Sequence, residues 1–223
     1  MSQNCLTRGE VCVKMSQKGA VLADLSLILT IFRYKSDCRG GIMNGINNIH
    51  GKSASEILQE TGQENCIPVN LNSILRHYKI SAMAMDFSDL EKSLSKAIPY
   101  KQDRILGAMI TAPSGNTTIF YSNDAELMSS HRYRFTVAHE LAHACINGEP
   151  NHVEFRHDST SNSAIERQAN IFAGELLIPL HQLETVSKKL LLPTIKNLAK
   201  VFEVSETVMS ARLKHLNRAD LYI

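Results

Sequence analysis

The chain has 223 residues, enough for one or two domains with a buried core. Its hydrophobic content of 43% and charged content of 21% are those of an ordinary globular protein, and its net charge of +2 neither favours nor excludes a nucleic-acid partner. The five cysteines are odd in number, scattered and without C-x-x-C spacing, which argues against a disulfide framework. Reduced thiols in the cytoplasm are therefore expected.

Residues 1–65 are predicted to be an N-terminal extension of unknown role. Their apolar run, residues 20–32, is interrupted by Asp24 and is shorter than the about 20 residues that a membrane-spanning helix needs. Arg33-Tyr34-Lys35 follows it where a signal peptide would offer small residues. We expect a packed helix or strand, or an interface with a partner, and no membrane partner.

A more regular domain is predicted over residues 66–180. A short helix is expected before it, at 53–61, and within it a helix at 69–78 and strands at 80–87, 105–111 and 117–121. Pro113-Ser114-Gly115-Asn116 indicates a hairpin between the last two strands. The pattern predicts an α+β fold, with a small, mainly antiparallel sheet that precedes and packs on the following helices. Residues 117–122 are predicted to be an edge strand that could pair with an extended peptide.

The run around His139-Glu140-Leu141-Ala142-His143 reads as a helix. Histidines four residues apart project from the same face of a helix, so His139 and His143 can bind one metal ion. Glu140 between them is placed to act as a general base, which is the physical content of the H-E-x-x-H pattern. The alternative is a surface helix with two solvated histidines. Small or apolar neighbours favour the buried metal site: Ala138, Leu141 and Ala142.

The third metal ligand separates two types of zinc peptidase. In one type the motif continues with Gly and a third His, but Ile146 and Glu149 occupy those positions here. Gly148 and His152 are nearby but out of register. In the other type a Glu comes from a following helix, and residues 163–179 fit such a helix, with Pro179 marking its end. Glu166, in the first turn of that helix, is therefore the predicted third ligand. Three residues are candidate caps for its start: Ser161, Asn162 and Ser163.

Four further side chains are candidates for supporting roles near this centre. Asn170 shares a helix face with Glu166, so its oxygen could accept a hydrogen bond from His139 and fix the imidazole tautomer. Equally, Asn170 could bond to backbone between the packed helices. Cys145 points away from the ligand face and is predicted to be a buried structural thiol rather than a ligand. By residue type and proximity alone, the candidates for stabilising an oxyanion are Tyr133, His152 and His157.

These residues resemble the ImmA/IrrE family of zinc-dependent metallopeptidases. The resemblance rests on two blocks: Arg134-Phe135-Thr136-x-Ala138-His139-Glu140-Leu141-x-His143 and Glu166-x-x-Ala169-Asn170-x-Phe172-Ala173-x-Glu175-Leu176-Leu177-x-Pro179. It covers residues 105–180 and extends more weakly back to Ile67 and forward to Leu216. The chain departs from the family at Asn147, where another His is common; that position is not a metal ligand.

The resemblance implies a zincin-like, more specifically gluzincin-like, metallo-endopeptidase. Zn²⁺ would be held by His139, His143 and Glu166, with Glu140 as the catalytic base. The implied substrate is a protein, usually a helix-turn-helix repressor whose cleavage switches on mobile-element or stress genes. Other relatives resemble the toxin of a toxin–antitoxin pair. A third possibility is a regulator that binds protein or DNA and has a non-catalytic zinc site.

Residues 181–223 are predicted to form a helical, helix-turn-helix-like tail. Ser205 is a good N-cap for its last helix. DNA readers place contacting side chains near the start of that helix, but the residues there include no Arg or Lys: Glu206, Thr207, Met209 and Ser210. The tail carries seven Lys or Arg against four Asp or Glu, a modest excess. DNA binding is therefore not expected to be primary, and a helical hairpin that packs on the core or on a partner is favoured.

Overall fold

The computed structural model describes residues 48–89, 91–92, 105–111, 116–129, 131–147, 153–157 and 164–222. The helices are α1 Ala54–Glu60, α2 Leu71–His77, α3 Ala125–Ser129, α4 Arg132–Asn147, α5 Ala164–Leu177, α6 Leu180–Lys189, α7 Ile195–Phe202 and α8 Glu206–Leu216, followed by a 3-10 turn at Ala219–Leu221. The strands are β1 Ser81–Met85, β2 Ile105–Thr111, β3 Thr117–Ser122 and β4 Val153–His157. The predicted α+β class is confirmed. The apolar run at 20–32 and the candidate caps at 161–163 lie outside the described residues.

Side-chain caps explain why several helices begin where they do. The Ser53 hydroxyl accepts from the backbone N–H of Glu56 while the Glu56 carboxylate accepts from the N–H of Ser53, a reciprocal pair that starts α1. The side chains of Asn70 and Thr194 cap α2 and α7, and each accepts one hydrogen bond from a backbone N–H. Ser205 accepts from the N–H of Val208 and starts α8, as its sequence position predicts.

The four described strands form one mixed sheet in the order β1-β3-β2-β4. β2 pairs antiparallel with both β3 and β4, and only β1 pairs parallel, with β3. The sheet is therefore mainly antiparallel, as predicted. Two expectations were wrong: β3 lies between β1 and β2 and is not an edge strand, and β4 follows α4 in the chain instead of preceding it.

One apolar core joins α4 to both ends of the described chain. α4 lies across β2 and β3 and packs along α5. Side chains from residues 48–60 and from the tail enter this core, including Ile49, Ile57, Leu58, Leu198, Phe202, Met209 and Leu213. Within the described residues the core thus crosses both predicted domain boundaries, at 65/66 and at 180/181. The helices of these ranges include none that is long and apolar enough to cross a membrane.

Candidate metal centre

α4 carries the two motif histidines on a buried face. His139 is 0% exposed and His143 is 1% exposed, and Ala138, Leu141 and Ala142 around them are fully buried. The alternative of solvated histidines on a surface helix is therefore excluded. Buried imidazoles need polar partners, because an unpaired polar group in the interior costs free energy. α5, which packs against α4, supplies those partners.

The two imidazoles and the Glu166 carboxylate converge on one point between α4 and α5. His139 Nε2 lies 3.0 Å from His143 Nε2 and 3.1 Å from Glu166 Oε2. His143 Nε2 lies 3.4 Å from the other carboxylate oxygen, Oε1. These are the residues of the described chain that group as a possible metal site. The structure thus brings together the three side chains that the sequence proposed as ligands.

Asn170 makes the first of the two contacts predicted for it, a hydrogen bond with His139. The His139 Nδ1–H donates to Asn170 Oδ1 at 3.0 Å, with Asn170 one turn after Glu166 on α5. An amide oxygen can only accept, so this bond places a hydrogen on Nδ1, and in the neutral imidazole Nε2 then carries the lone pair. His139 therefore presents a basic nitrogen to the point where the Glu166 carboxylate also lies. The Phe135 ring, one turn before His139, has its centroid 6.3 Å from the imidazole.

This donor set fits a divalent metal ion. A lone pair and a carboxylate at 3.1 Å repel each other unless a proton or a cation lies between them. Ligand atoms on a tetrahedral zinc ion lie about 3.3 Å apart, since the bonds are about 2.0–2.1 Å long. The observed separations of 3.0, 3.1 and 3.4 Å match that spacing. A proton shared with His139, and then with His143, can take the place of that cation, and it holds the pKa of the Glu166 carboxyl well below its usual range, so the carboxylate is ionised in either case.

The Glu140 carboxyl lies against the backbone of β2 at Gly107. A Cβ atom at Gly107 would lie 3.2 Å from Glu140 Oε1 and only 2.4 Å from Thr136 Cγ2. Any side chain at this position would therefore displace the Thr136 side chain, the strand or the helix. A glycine inside an otherwise apolar strand often marks such a close approach, and that signal was present in the sequence.

The remaining candidates have different outcomes. Cys145 is buried, and its burial raises the pKa of the thiol to about 12, so the prediction of a structural thiol is confirmed. The Tyr133 ring lies 5.7 Å from that of Tyr121, and both line a cavity of about 110 Å³ with Leu71 and Arg134. Tyr133 lies six positions before His139, so it projects from a different face of the helix than that ligand. The structure therefore does not support an oxyanion role for Tyr133. His152 and the side chain of His157 lie outside the described residues.

Two buried arginines link the tail to the preceding part of the chain. The sequence analysis did not identify them. Arg134 of α4 donates to the carbonyl of Val69 at 2.7 Å and lies 3.6 Å from the carboxylate of Glu203 in the α7–α8 turn. Arg212 of α8 donates to the carbonyl of Ile178 at 3.3 Å and to Glu175 at 3.4 Å. Both arginines are therefore engaged within the protein.

A buried His-His-Glu cluster on two packed helices, with its first two members in an H-E-x-x-H motif, defines a candidate metal centre of the metallopeptidase class. The family model Peptidase M78, described as an IrrE N-terminal-like domain, matches residues 87–214. This match covers more than half of the chain, and the chain belongs to this metallopeptidase family. It also takes in most of the tail, as far as α8. A comparison with curated proteins found no significant match.

Proposed function

We propose that this protein is a zinc-dependent endopeptidase whose substrate is a helix-turn-helix repressor. The observation that carries the proposal is the convergence of His139, His143 and Glu166 within 4.8 Å of one another, in a chain of a metallopeptidase family. Two imidazoles and one carboxylate are the ligand set of a catalytic zinc site, which keeps a further position open. The Glu166 side chain is 17% exposed, so the centre borders solvent on the α5 side.

Each residue then has a distinct role. His139, His143 and Glu166 would hold the metal, which when bound supplies a Lewis acid that polarises the scissile carbonyl and lowers the pKa of water. Glu140 accepts the proton of the attacking water and passes it to the leaving amine as the peptide bond breaks. Asn170 keeps the hydrogen of His139 on Nδ1, so that Nε2 remains a ligand.

The sheet suggests where an extended substrate would bind. Glu140 lies against β2 at Gly107, and β4 is the strand next to β2 on the far side from β3. Among the described strands β4 pairs only with β2, so its outer edge can accept a peptide by backbone hydrogen bonds. β4 therefore takes the substrate-pairing role that sequence reasoning gave to β3.

The nature of the substrate rests on family likeness alone. The resemblance to ImmA/IrrE proteins favours a repressor encoded close to this gene, and the same likeness allows an antitoxin as the cognate protein. Both roles use one centre, so they differ in the partner and not in the chemistry.

The proposal is tested by metal analysis and cleavage on the same preparations. The wild-type protein should carry about one zinc per chain and cleave the helix-turn-helix protein of an adjacent gene. Glu140→Gln should keep the zinc and lose at least a hundredfold in cleavage rate, because general acid–base catalysis contributes about 10²–10⁴-fold. Gln168→Ala, an exposed change on α5, is the matched control. A wild-type protein without metal, or cleavage by Glu140→Gln at the wild-type rate, would contradict the proposal.

Growth separates the two partner classes. If expression of the wild type, but not of Glu140→Gln, arrests growth and a co-expressed neighbour relieves the arrest, the protein is a toxin. If the wild type only raises transcription from the neighbour's promoter, it is a repressor protease.

A further inference from the structure

The loop between α6 and α7 exposes two leucines to solvent. Leu191 is 94% exposed and Leu192 is 55% exposed, the two highest values among the large exposed hydrophobic residues of the described chain. Leucine is normally buried, because the transfer of its apolar side chain out of water is favourable. Adjacent leucines at the tip of a loop therefore form a surface that gains free energy when it meets an apolar phase.

The loop is held in this presentation by its own hydrogen bonds. The carbonyl of Leu192 accepts from the side chain of Asn197 at 2.9 Å and from the N–H of Thr194 at 2.9 Å. The N–H of Leu190 donates to the carbonyl of Val186 and closes the end of α6. Because these bonds fix the loop, docking would cost little further ordering of the chain.

Lysines surround the leucine pair on both sides in sequence. Residues 188–200 contain four lysines and no acidic residue, and all four lysines are exposed: Lys188, Lys189, Lys196 and Lys200. Two acidic groups of neighbouring elements are already engaged, Glu184 with Arg218 and Glu203 with Arg134. The surface formed by Leu191, Leu192 and these lysines is called the Leu–Lys loop below.

The composition of the Leu–Lys loop favours an anionic bilayer over a protein. Protein interfaces are enriched in aromatic residues and arginine and depleted in lysine, whereas residues 188–200 contain four lysines, no arginine and no aromatic residue. Lysines beside exposed leucines are the pattern of segments that lie at a membrane surface, where the apolar side chains enter the headgroup region. A nucleic acid would use the lysines but would gain nothing from Leu191.

We propose that the Leu–Lys loop docks this protein on anionic phospholipid, with Leu191 and Leu192 in the headgroup region and the lysines against the lipid phosphates. Such peripheral binding needs no spanning helix. It replaces the expectation from the sequence that the protein has no membrane partner, and it is independent of the proposed peptidase activity.

A tryptophan placed in the loop reports insertion directly, because the chain contains none. Leu191→Trp should show a blue shift of its emission with vesicles of phosphatidylcholine containing about one-third phosphatidylserine, and no shift with phosphatidylcholine alone. Met83→Trp, at an exposed position of β1, is the control and should show no shift with either vesicle. Equal emission of Leu191→Trp with and without the anionic vesicles would overturn the proposal.

Vesicle sedimentation of unlabelled protein tests the two kinds of side chain separately. Replacing Lys188, Lys189 and Lys196 by Gln should weaken binding about a hundredfold, since each lysine near an anionic surface contributes about fivefold. The control with the same change of charge replaces Lys79, Lys92 and Lys214, which are exposed residues outside the Leu–Lys loop, and should bind nearly as the wild type does.

Leu191→Ser with Leu192→Ser should weaken binding at least about a hundredfold at unchanged charge, because both apolar side chains are lost from the headgroup region. Circular dichroism checks that each variant is folded. If both lysine sets weaken binding equally, or if the serine variant binds as well as the wild type, the attraction is a general effect of charge and the proposal is wrong.

Discussion

Two groups of buried polar side chains in this chain differ in where their partners lie. In the ligand cluster, His139, His143 and Glu166 point their electron-rich atoms at one another, 3.0–3.4 Å apart. All of these atoms can accept, and Asn170 takes the hydrogen of His139 on the other side of the ring. These acceptors therefore need a proton or a cation at the centre of the cluster.

The two buried arginines, Arg134 and Arg212, have the opposite arrangement. Arg134 and Arg212 each donate to a backbone carbonyl and each lie near a carboxylate, and their partners belong to other segments of the chain. Their donors meet acceptors within the protein, except the buried Nε of Arg134, for which the described residues offer no hydrogen-bond partner. The difference teaches that burial alone does not mark a functional site. Converging acceptors mark one, whereas paired donors and acceptors mark a structural tie.

The largest expected effect comes from removing one acceptor of the ligand cluster. Glu166→Ala should reduce bound zinc from about one per chain to a small fraction and abolish cleavage, because the site then has two protein ligands instead of three. Zinc analysis after dialysis measures this. Gln168→Ala on the same helix should keep its zinc; a Glu166→Ala protein that retains full occupancy would show that the third ligand is another residue.

A smaller effect is expected from breaking a structural tie. Arg212→Met should lower the free energy of unfolding by about 2–3 kcal/mol, since the carbonyl of Ile178 loses its donor and Glu175, which is 44% exposed, loses its partner. The melting temperature should fall by roughly 5–10 °C while the zinc content stays unchanged.

Arg218→Met is the matched control for Arg212→Met. Arg218 is also paired with carboxylates, those of Glu184 and Asp220, but its side chain is 30% exposed and those of its partners are 35% and 62% exposed, so solvent screens these pairs. Its melting temperature should barely change. An equal fall for both variants would mean that burial does not distinguish the two arginines.

The ligand cluster could be predicted from the sequence because its spacing is local. Histidines four apart on a helix share a face whatever surrounds them, and Glu166 and Asn170 repeat that spacing on the next helix. The packing of α4 on α5 was the only step that the sequence left to tertiary structure. The cap Ser205 and the helix stop at Pro179 were likewise local signals.

The order of the strands and the contacts of the two buried arginines could not be predicted from local spacing. β1 pairs with β3 and β4 with β2 across long stretches of chain, and pairing between distant strands has no local signature. The prediction that β3 is an edge strand was wrong because its sequence contains no signal of which strands lie beside it. The alternation Val153-Glu154-Phe155-Arg156 was the signal that could have revealed β4.

The contact between the sheet and the motif helix can be tested at Gly107. Gly107→Ala should lower the free energy of unfolding by about 1–3 kcal/mol, because the new methyl group would lie 2.4 Å from Thr136 Cγ2. Thr136→Ser removes that methyl group, so the double variant should recover part of the loss. Thermal unfolding of the two single variants and the double variant measures the coupling. Additive losses would mean that the strand and the helix do not meet at this point.

Asn170 tests the ligand cluster from its outer side. Asn170→Ala should weaken zinc binding about 10–100-fold, because His139 loses the acceptor that fixes its tautomer. Asn170→Asp keeps an acceptor at the same place and should bind zinc at least as tightly as the wild type. Competition with a chelator measures both affinities. If Asn170→Asp loses as much affinity as Asn170→Ala, the amide group itself is required and Asn170 supports the packing of α4 on α5 instead of the tautomer of His139.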